Sequence, residues 1–116
     1  MKKIKIEVCE KPPSVNHIYG HRGRIVYLTK AGREFKQRLA NKIPQDIKPF
    51  SGPVKVKIDL TFPNNLRRDI DNYSKGILDA LNKKVFIDDS QITELIIKKY
   101  VKKNKSNIKI TVEGID

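Results

Sequence analysis

Residues 54–62 read VKVKIDLTF, an unbroken alternation of apolar and polar side chains. A period of two is typical of a β-strand that turns one face to the core and the other to water. A proline-bounded turn at residues 49–53 precedes this segment, and a loop that begins at Pro63 follows it. The segment therefore predicts the best-defined strand of the fold, from which the other elements can be placed.

Three further segments predict strands. Residues 2–9 and 108–112 alternate in the same way, so each should be a strand with one buried face. Residues 92–101 are apolar on both faces in their middle, at Leu95, Ile96 and Ile97. Because a strand that is covered on both sides has this composition, this segment is predicted to be central in the sheet.

Two segments predict helices. Thr29 is a candidate N-cap for a helix that Pro44 ends. Its apolar residues recur every fourth position, at Ala31, Phe35, Leu39 and Ile43. A second helix over residues 71–83 follows from the helical spacing of Tyr73, Ile77, Leu78 and Leu81. Before the first helix, residues 16–27 carry two glycines among basic side chains, which indicates a basic loop or an irregular hairpin.

Together these elements predict a single α+β domain over residues 1–116, in the order β-α-β-α-β-β. Two helices would cover one face of a mostly antiparallel or mixed sheet of about four strands, giving two layers. The chain contains no repeats, linkers or low-complexity tracts that would indicate further domains.

The charge of the chain points to an anionic partner. Lys and Arg total 25 against 13 acidic residues, for a formal net charge of +12. This balance favours nucleic acid, since no amphipathic membrane helix is evident. The sequence shows neither a signal peptide nor an apolar run long enough to span a membrane. Its one cysteine, Cys9, weakly favours a reducing compartment. We therefore expect a soluble, cytoplasmic protein without a membrane partner.

Five of the acidic residues nevertheless cluster between residues 69 and 89. Asp69 and Asp71 lie where a loop enters the second helix, and residues two apart on an extended backbone project to one side. Their carboxylates could converge on Mg²⁺, with Ile70 pointing to the core. The alternative is that Asp71 only caps the helix.

A third metal ligand could come from Asp88 or Asp89, which precede the long strand; the alternative is a solvated turn. Lys75 lies four residues after Asp71 and so on the same helix face. It could form a surface ion pair or stabilise the charge that develops on a phosphate. Asp79 continues that face, where it is expected to pair with Lys75 or Lys83.

Four motifs in this order resemble the RusA family of Holliday junction resolvases, which are small phage and prophage endodeoxyribonucleases. The similarity covers nearly the whole chain. Its motifs are the segment Pro12-Pro13-Ser14-Val15-Asn16-His17-Ile18-Tyr19, the Arg22-Gly23-Arg24 turn, Arg67-Arg68-Asp69-Ile70-Asp71-Asn72 with Lys75 and Asp79-Ala80-Leu81, and Phe86-Ile87-Asp88-Asp89.

The resemblance implies a homodimer that binds four-way junction DNA and makes paired symmetric nicks with Mg²⁺, for which Mn²⁺ could substitute. It assigns catalysis to Asp69, Asp71, Lys75 and Asp89, and metal binding to the three aspartates together with Asp88. Neighbouring phosphates would be neutralised by the arginines of these motifs, with two asparagines nearby. These DNA-binding residues are Asn16, Arg22, Arg24, Arg67, Arg68 and Asn72.

The sequence departs from the family pattern at three places. The arginine run before Asp69 is short, Gly76 stands in the second helix where alanine would be usual, and the C-terminal tail is brief. Two rival functions remain open at the level of the residues. One is a non-catalytic nucleic-acid-binding module of a phage replication or recombination system. The other is an enzyme that acts on branched DNA in general, or on RNA.

Overall fold

The computed structural model describes residues 2–115. Six strands are present: β1 Lys3–Val8, β2 Tyr19–Arg22, β3 Ile25–Leu28, β4 Val54–Phe62, β5 Ile92–Val101 and β6 Asn107–Gly114. Four of them form one mixed sheet in the order β1-β6-β4-β5, and β2 pairs with β3 in a separate hairpin. The predicted α+β class and the mixed four-stranded sheet are confirmed.

Strand β4 lies inside the sheet and organises the core. Its five apolar side chains, from Val54 to Phe62, are fully buried, while the residues between them are partly exposed. On one side β6 pairs with it antiparallel, with Ile58 opposite Ile110. On the other side β5 pairs with it parallel, with Ile58 opposite Ile97. The alternation in the sequence therefore predicted this strand correctly.

The prediction that residues 92–101 form a central strand is wrong, because β5 is an edge strand. The chain leaves β4, passes through a helix and returns in parallel, as such crossover connections require. Strand β6 then inserts between β1 and β4, which leaves β5 with an unpaired outer edge. Leu95 is 42% exposed and Val101 46%, so the apolar middle of this strand is not covered on both faces within one chain.

The described residues form three α-helices, α1 Val15–Ile18, α2 Lys30–Asn41 and α3 Lys75–Leu81. Thr29 caps α2 as predicted, since its hydroxyl accepts a hydrogen bond of 2.9 Å from the backbone N–H of Gly32. The second helix begins at Lys75 rather than at residue 71, because Ile70–Tyr73 form a 3-10 turn. Asp71, Asn72 and Ser74 have side chains that compete with helical backbone bonding.

Residues 16–27 include the short helix α1, which the sequence did not predict, and the hairpin of β2 and β3. Gly23 lies at the hairpin turn with φ of 62°, a conformation that suits glycine. Ile25, Val26 and Tyr27 of β3 are exposed. The hairpin alternative in the sequence prediction is thus confirmed. No helix between residues 2 and 115 is long and apolar enough to cross a membrane.

Ile18 of α1 joins the two longer helices. A Cβ on Gly32 of α2 would collide with the backbone oxygen of Ile18, and one on Gly76 of α3 would collide with its side chain. Gly76 therefore allows close packing between α3 and α1, which accounts for glycine where alanine would be usual. Ile18 itself is almost fully buried at 3% exposure.

We predict that Gly32→Ala lowers the free energy of unfolding by about 1–3 kcal/mol, because the backbone oxygen of Ile18 cannot move aside cheaply. Urea denaturation measures this. The matched control is Gly52→Ala, where an added Cβ meets nothing within 4 Å and stability should change by less than about 0.5 kcal/mol. Equal effects at the two positions would contradict the packing role.

Candidate functional site

Asp69 and Asp71 lie on an exposed segment that leads from β4 to α3. Asp69 has an extended backbone and precedes the 3-10 turn, and its side chain makes no capping hydrogen bond. Within residues 2–115 neither carboxylate has a hydrogen-bond or ion-pair partner, so the capping role considered for Asp71 is not observed. Ile70 is 36% exposed, which corrects the prediction that it points into the core. Both carboxylates are therefore available to a ligand.

Phe62 at the end of β4 fixes this acidic segment from both sides. The guanidinium of Arg68 lies 4.3 Å from the centre of the Phe62 ring, and the ring of Tyr73 packs edge-on against it at 5.1 Å. Arg68 also donates hydrogen bonds to the side chain of Asn64 at 2.8 Å and to nearby backbone oxygens. Lys99 of β5 donates to the backbone oxygen of Arg68 at 2.9 Å. The Arg68 side chain therefore helps to hold the acidic segment in position.

Asp88 and Asp89 differ in their surroundings although they are adjacent. Asp88 caps a second 3-10 turn, Asp89–Gln91, by accepting a 3.0 Å hydrogen bond from the N–H of Ser90. Hydrogen bonding from Ser90 lowers the pKa of Asp88. Gln91 closes this cap and donates to the backbone oxygens of Phe50 and Gly52. The solvated-turn alternative thus describes Asp88, whereas the Asp89 carboxylate is exposed and has no hydrogen-bond or ion-pair partner among the described residues.

The two acidic pairs lie near opposite ends of the β4–β5 pair. Asp89 lies three residues before Ile92, which pairs with Val54 at the start of β4. Arg68 is instead bound by Lys99, and from Ile92 to Lys99 the strand advances about 23 Å at its usual rise. Accordingly, no group of three or more acidic, His or Cys side chains that could hold a metal is found within residues 2–115. The structure brings the four aspartates together only as two separate pairs.

Lys75 forms a cluster with Asp79 and Tyr19. Its ammonium lies 2.9 Å from the Asp79 carboxylate and 4.7 Å from the centre of the Tyr19 ring, and the Tyr19 hydroxyl donates to Asp79. The predicted pairing of Asp79 with Lys75 is confirmed. Asp71 and Lys75 do not share a helix face as predicted, because Asp71 lies in the 3-10 turn and Lys75 begins α3.

The pKa values of this cluster follow from its contacts. Burial and the bond to Asp79 raise the pKa of Tyr19. Burial alone would raise the pKa of Asp79, but the hydrogen bonds from Tyr19 and Lys75 and the charge of Lys75 outweigh it, so the net pKa is lowered. Asp79 is therefore a carboxylate at neutral pH that holds the Lys75 ammonium in place.

The remaining predicted DNA-binding residues present polar groups on several surfaces. Arg22 and Arg24 flank the turn of the hairpin, Asn16 lies on α1, and Asn72 lies in the 3-10 turn beside the acids; all four are exposed. Arg67 is exposed too. Sequence reasoning missed Tyr19, although it ends the Pro-Pro-Ser motif, because its partner Asp79 is 60 residues away.

Comparisons with known proteins show what the chain as a whole is similar to. A family model described as endodeoxyribonuclease RusA matches residues 10–113. The crossover junction endodeoxyribonuclease RusA of Escherichia coli (strain K12) is 29% identical over 104 residues, which cover 87% of each chain. The protein of that name from Enterobacteria phage 82 is similar to the same extent, and that of Shigella sonnei is 28% identical.

The lowered pKa of Asp79 predicts a pH dependence of stability. A carboxyl whose pKa is lower in the folded chain than in the unfolded one stabilises the fold above its unfolded pKa, and this contribution is lost as the pH falls through the folded pKa. The stability advantage of the wild type over Asp79→Asn should thus be constant above about pH 5 and shrink below it. Urea unfolding at several pH values measures this difference. When Tyr19→Phe is also present, the stability lost through Asp79→Asn should be smaller. A stability difference between the wild type and Asp79→Asn that persists unchanged in acid would contradict the assignment.

Proposed function

This chain belongs to the RusA family of endodeoxyribonucleases, and from that premise we propose that it resolves four-way (Holliday) DNA junctions by paired symmetric nicks that require Mg²⁺. The reaction is hydrolysis of a phosphodiester bond, performed on DNA in the cytoplasm. One observation carries the proposal: two unpartnered carboxylates, Asp69 and Asp71, stand on a rigidly anchored segment of a protein with net charge +12. Free carboxylates can bind a metal ion while the basic surface around them attracts a polyanion, and this combination suits a metal-dependent reaction on DNA.

The donor chemistry of the site fits Mg²⁺. This ion prefers carboxylate oxygen and usually takes one or two such ligands per ion, keeping waters for substrate phosphate, so three aspartates would serve one or two ions. We assign Asp69 and Asp71 as ligands on one segment and Asp89 on the other, since Asp88 already has a capping role and is the less available of the pair. Bound there, Mg²⁺ would polarise the scissile phosphate and lower the pKa of an attacking water; Mn²⁺ offers the same chemistry.

A homodimer would bring the separated acids together. We propose that the free edge of β5 pairs antiparallel with the same edge of a second copy across a two-fold axis. Antiparallel pairing sets the start of one β5 beside the end of the other, so Asp89 of one protomer approaches Asp69 and Asp71 of its partner. The exposed Leu95 and Val101 of this strand support the contact. Each dimer would then hold two equivalent sites, as two symmetric nicks require.

The cationic residues have separate tasks in this proposal. Lys75, kept in place by Asp79, would stabilise the charge that develops on the phosphate during cleavage. Arg67 and Arg68 would contact phosphates next to the cut. The exposed Arg22 and Arg24 of the hairpin turn would hold a junction arm, because phosphate contacts position DNA without reading its sequence. Asn16 and Asn72 would complete this contact surface.

The proposal is tested by incubating the protein with a mobile four-way junction, a duplex and a single strand of matched length, each with and without Mg²⁺. We expect symmetric nicks in the junction alone and only with the metal. Equal cleavage of junction and duplex would contradict structure selectivity. Full activity in a chelator would contradict the metal requirement.

Asp71→Asn should abolish junction cleavage and leave junction binding intact or tighter, because it removes one ligand charge with little change of shape. Single-turnover cleavage and a binding titration measure the two effects. The matched control is Asp46→Asn, the same change at an exposed position outside the site, which should cleave normally. Cleavage by Asp71→Asn at the wild-type rate would show that this site is misassigned.

Lys75→Ala should slow cleavage by about 100-fold, the usual cost of losing one electrostatic stabiliser. The side chain is largely exposed, so the urea midpoint should move little. Lys5→Ala, which removes an exposed lysine of β1, the edge strand on the far side of the sheet from β5, serves as the charge-matched control. A large loss of stability combined with normal specific activity would instead make Lys75 a structural residue.

Junction binding should weaken steeply with salt, with a log–log slope of about −0.9 for each phosphate contact. Replacing Arg22 and Arg24 together by alanine should flatten the slope by about two contacts per protomer. Titrations of the cleavage-deficient Asp71→Asn protein at several salt concentrations measure this. An unchanged slope would show that Arg22 and Arg24 of the hairpin turn make no phosphate contacts.

A further inference from the structure

A cavity of about 410 Å³ lies beside the acidic segment and extends from Arg67 and Arg68 into a region to which no part of the reaction has been assigned. Its walls come from residues 10–14, His17 of α1, one side of α2, residues 66–68 and Tyr73. The cavity thus lies between the segment that begins Pro12-Pro13-Ser14 and the segment that begins Arg67-Arg68-Asp69. The proposed reaction gives residues 12–14 and His17 of the first motif no task, and binding in this cavity is a candidate for one.

The rim of this cavity is cationic. Lys11 and Arg67 line it together with the imidazole of His17. These side chains are exposed, and none of the three side chains has a hydrogen-bond or ion-pair partner within residues 2–115. Unpaired cationic donors around a concave site favour an anion such as a backbone phosphate. The volume also lies within the range of small-molecule sites and would accommodate one nucleotide.

The interior of the cavity offers a flat apolar surface and a polar edge. Tyr73 lines it with a ring whose plane is fixed by the edge-on contact with Phe62, and Phe35 forms its floor. Glu10 and Arg38, also in the lining, hold each other by two hydrogen bonds of 2.8 and 2.9 Å. A fixed carboxylate next to a fixed guanidinium presents an acceptor and a donor, which is what reading the edge of a nucleobase requires.

We propose that this cavity receives one unstacked nucleotide of the strand being cut, with its base against Tyr73 and its phosphate near Arg67. These two residues stand two positions after Asp71 and two positions before Asp69, so the bound nucleotide neighbours the scissile phosphate. Unstacking a base costs least where its pairing is already disturbed, and the branch point of a mobile junction is such a place. The pocket would then make cleavage depend on the base at that position. This inference rests on the proposed junction cleavage.

The test fills the cavity without removing any contact. Ala31 lines it and is half-buried on α2, so Ala31→Met should occupy the space of the base. Ala40→Met makes the same change at a half-buried position of α2 outside the cavity lining. Single-turnover cleavage is measured on an intact junction and on junctions in which one nucleotide near the cut, scanned over four positions, is abasic.

We expect Ala31→Met to slow cleavage by about tenfold or more, while Ala40→Met cleaves as the wild type. Removing the base at one position should slow the wild type similarly and should not slow Ala31→Met any further, because both changes delete the same interaction. Two results would contradict the proposal. One is cleavage by Ala31→Met at the wild-type rate, and the other is that the rate losses from Ala31→Met and from the abasic site multiply when they are combined.

Thermal unfolding shows whether Ala31→Met is folded. If it is not, Tyr73→Leu takes its place, since leucine keeps apolar contact with Phe62 but has no ring face for a base. Suppose that the wild type cleaves the intact junction, and that neither the cavity variant nor an abasic site at any scanned position slows cleavage. That result would contradict this inference and leave the proposed function standing. Failure of the wild type to cleave any junction would contradict the proposed function and the inference with it.

Discussion

The parallel pairing of β4 with β5 is the constraint on which the rest of the molecule depends. Because the chain must cross from one end of the sheet to the other between these strands, it carries α3 and both acidic pairs within that crossover. The pairing sets Ile92 beside Val54 and Val101 beside Phe62, so the acids that precede β5 and those that follow β4 are held near opposite ends. The same topology leaves the outer edge of β5 unpaired.

Rigidity at the acidic segment comes from the end of β4. Phe62 is fully buried, yet its ring contacts Arg68 and Tyr73, which flank the two aspartates. An exposed segment with few backbone partners would otherwise be mobile. The two carboxylates are thus held in position by the aromatic packing beneath them, and a metal site needs this kind of support. The arginine next to Asp69 consequently acts partly as an anchor, in addition to its proposed contact with phosphate.

Local sequence patterns predicted the fold well wherever the burial of a residue depends only on its neighbours within one strand or one helix turn. The alternation of residues 54–62 and the cap at Thr29 were correct because both depend on near neighbours. The position of β5 could not be obtained in this way, since apolar residues on both faces suit a central strand and an uncovered edge equally. Helix α3 began later than its periodicity indicated, because Asp71 and Asn72 form a 3-10 turn with the same apolar spacing.

The candidate site was predictable in residue type more than in arrangement. The resemblance selected the acids and Lys75, and the i,i+4 spacing gave the Lys75–Asp79 pair. The role of Tyr19 depends on a contact across 60 residues, which spacing cannot reveal. Likewise the separation of the two acidic pairs follows from the sheet register, and the capping role of Asp88 follows from its bond to Ser90. Register and long-range contacts are set by the whole fold.

We infer that Asp69 and Asp71 of one protomer act together with Asp89 of the other, and mixing of mutant subunits is the direct test of such a shared site. Asp71→Asn and Asp89→Asn proteins, each inactive alone, are unfolded together, refolded and assayed on a four-way junction with Mg²⁺. In the mixed dimer one site keeps all three acids, so we predict restored cleavage with single nicks rather than paired ones. A mixture of Asp69→Asn with Asp71→Asn leaves no complete site and should stay inactive. Failure of the first mixture to cleave, although its mixed dimers form and bind the junction, would contradict a site shared between protomers.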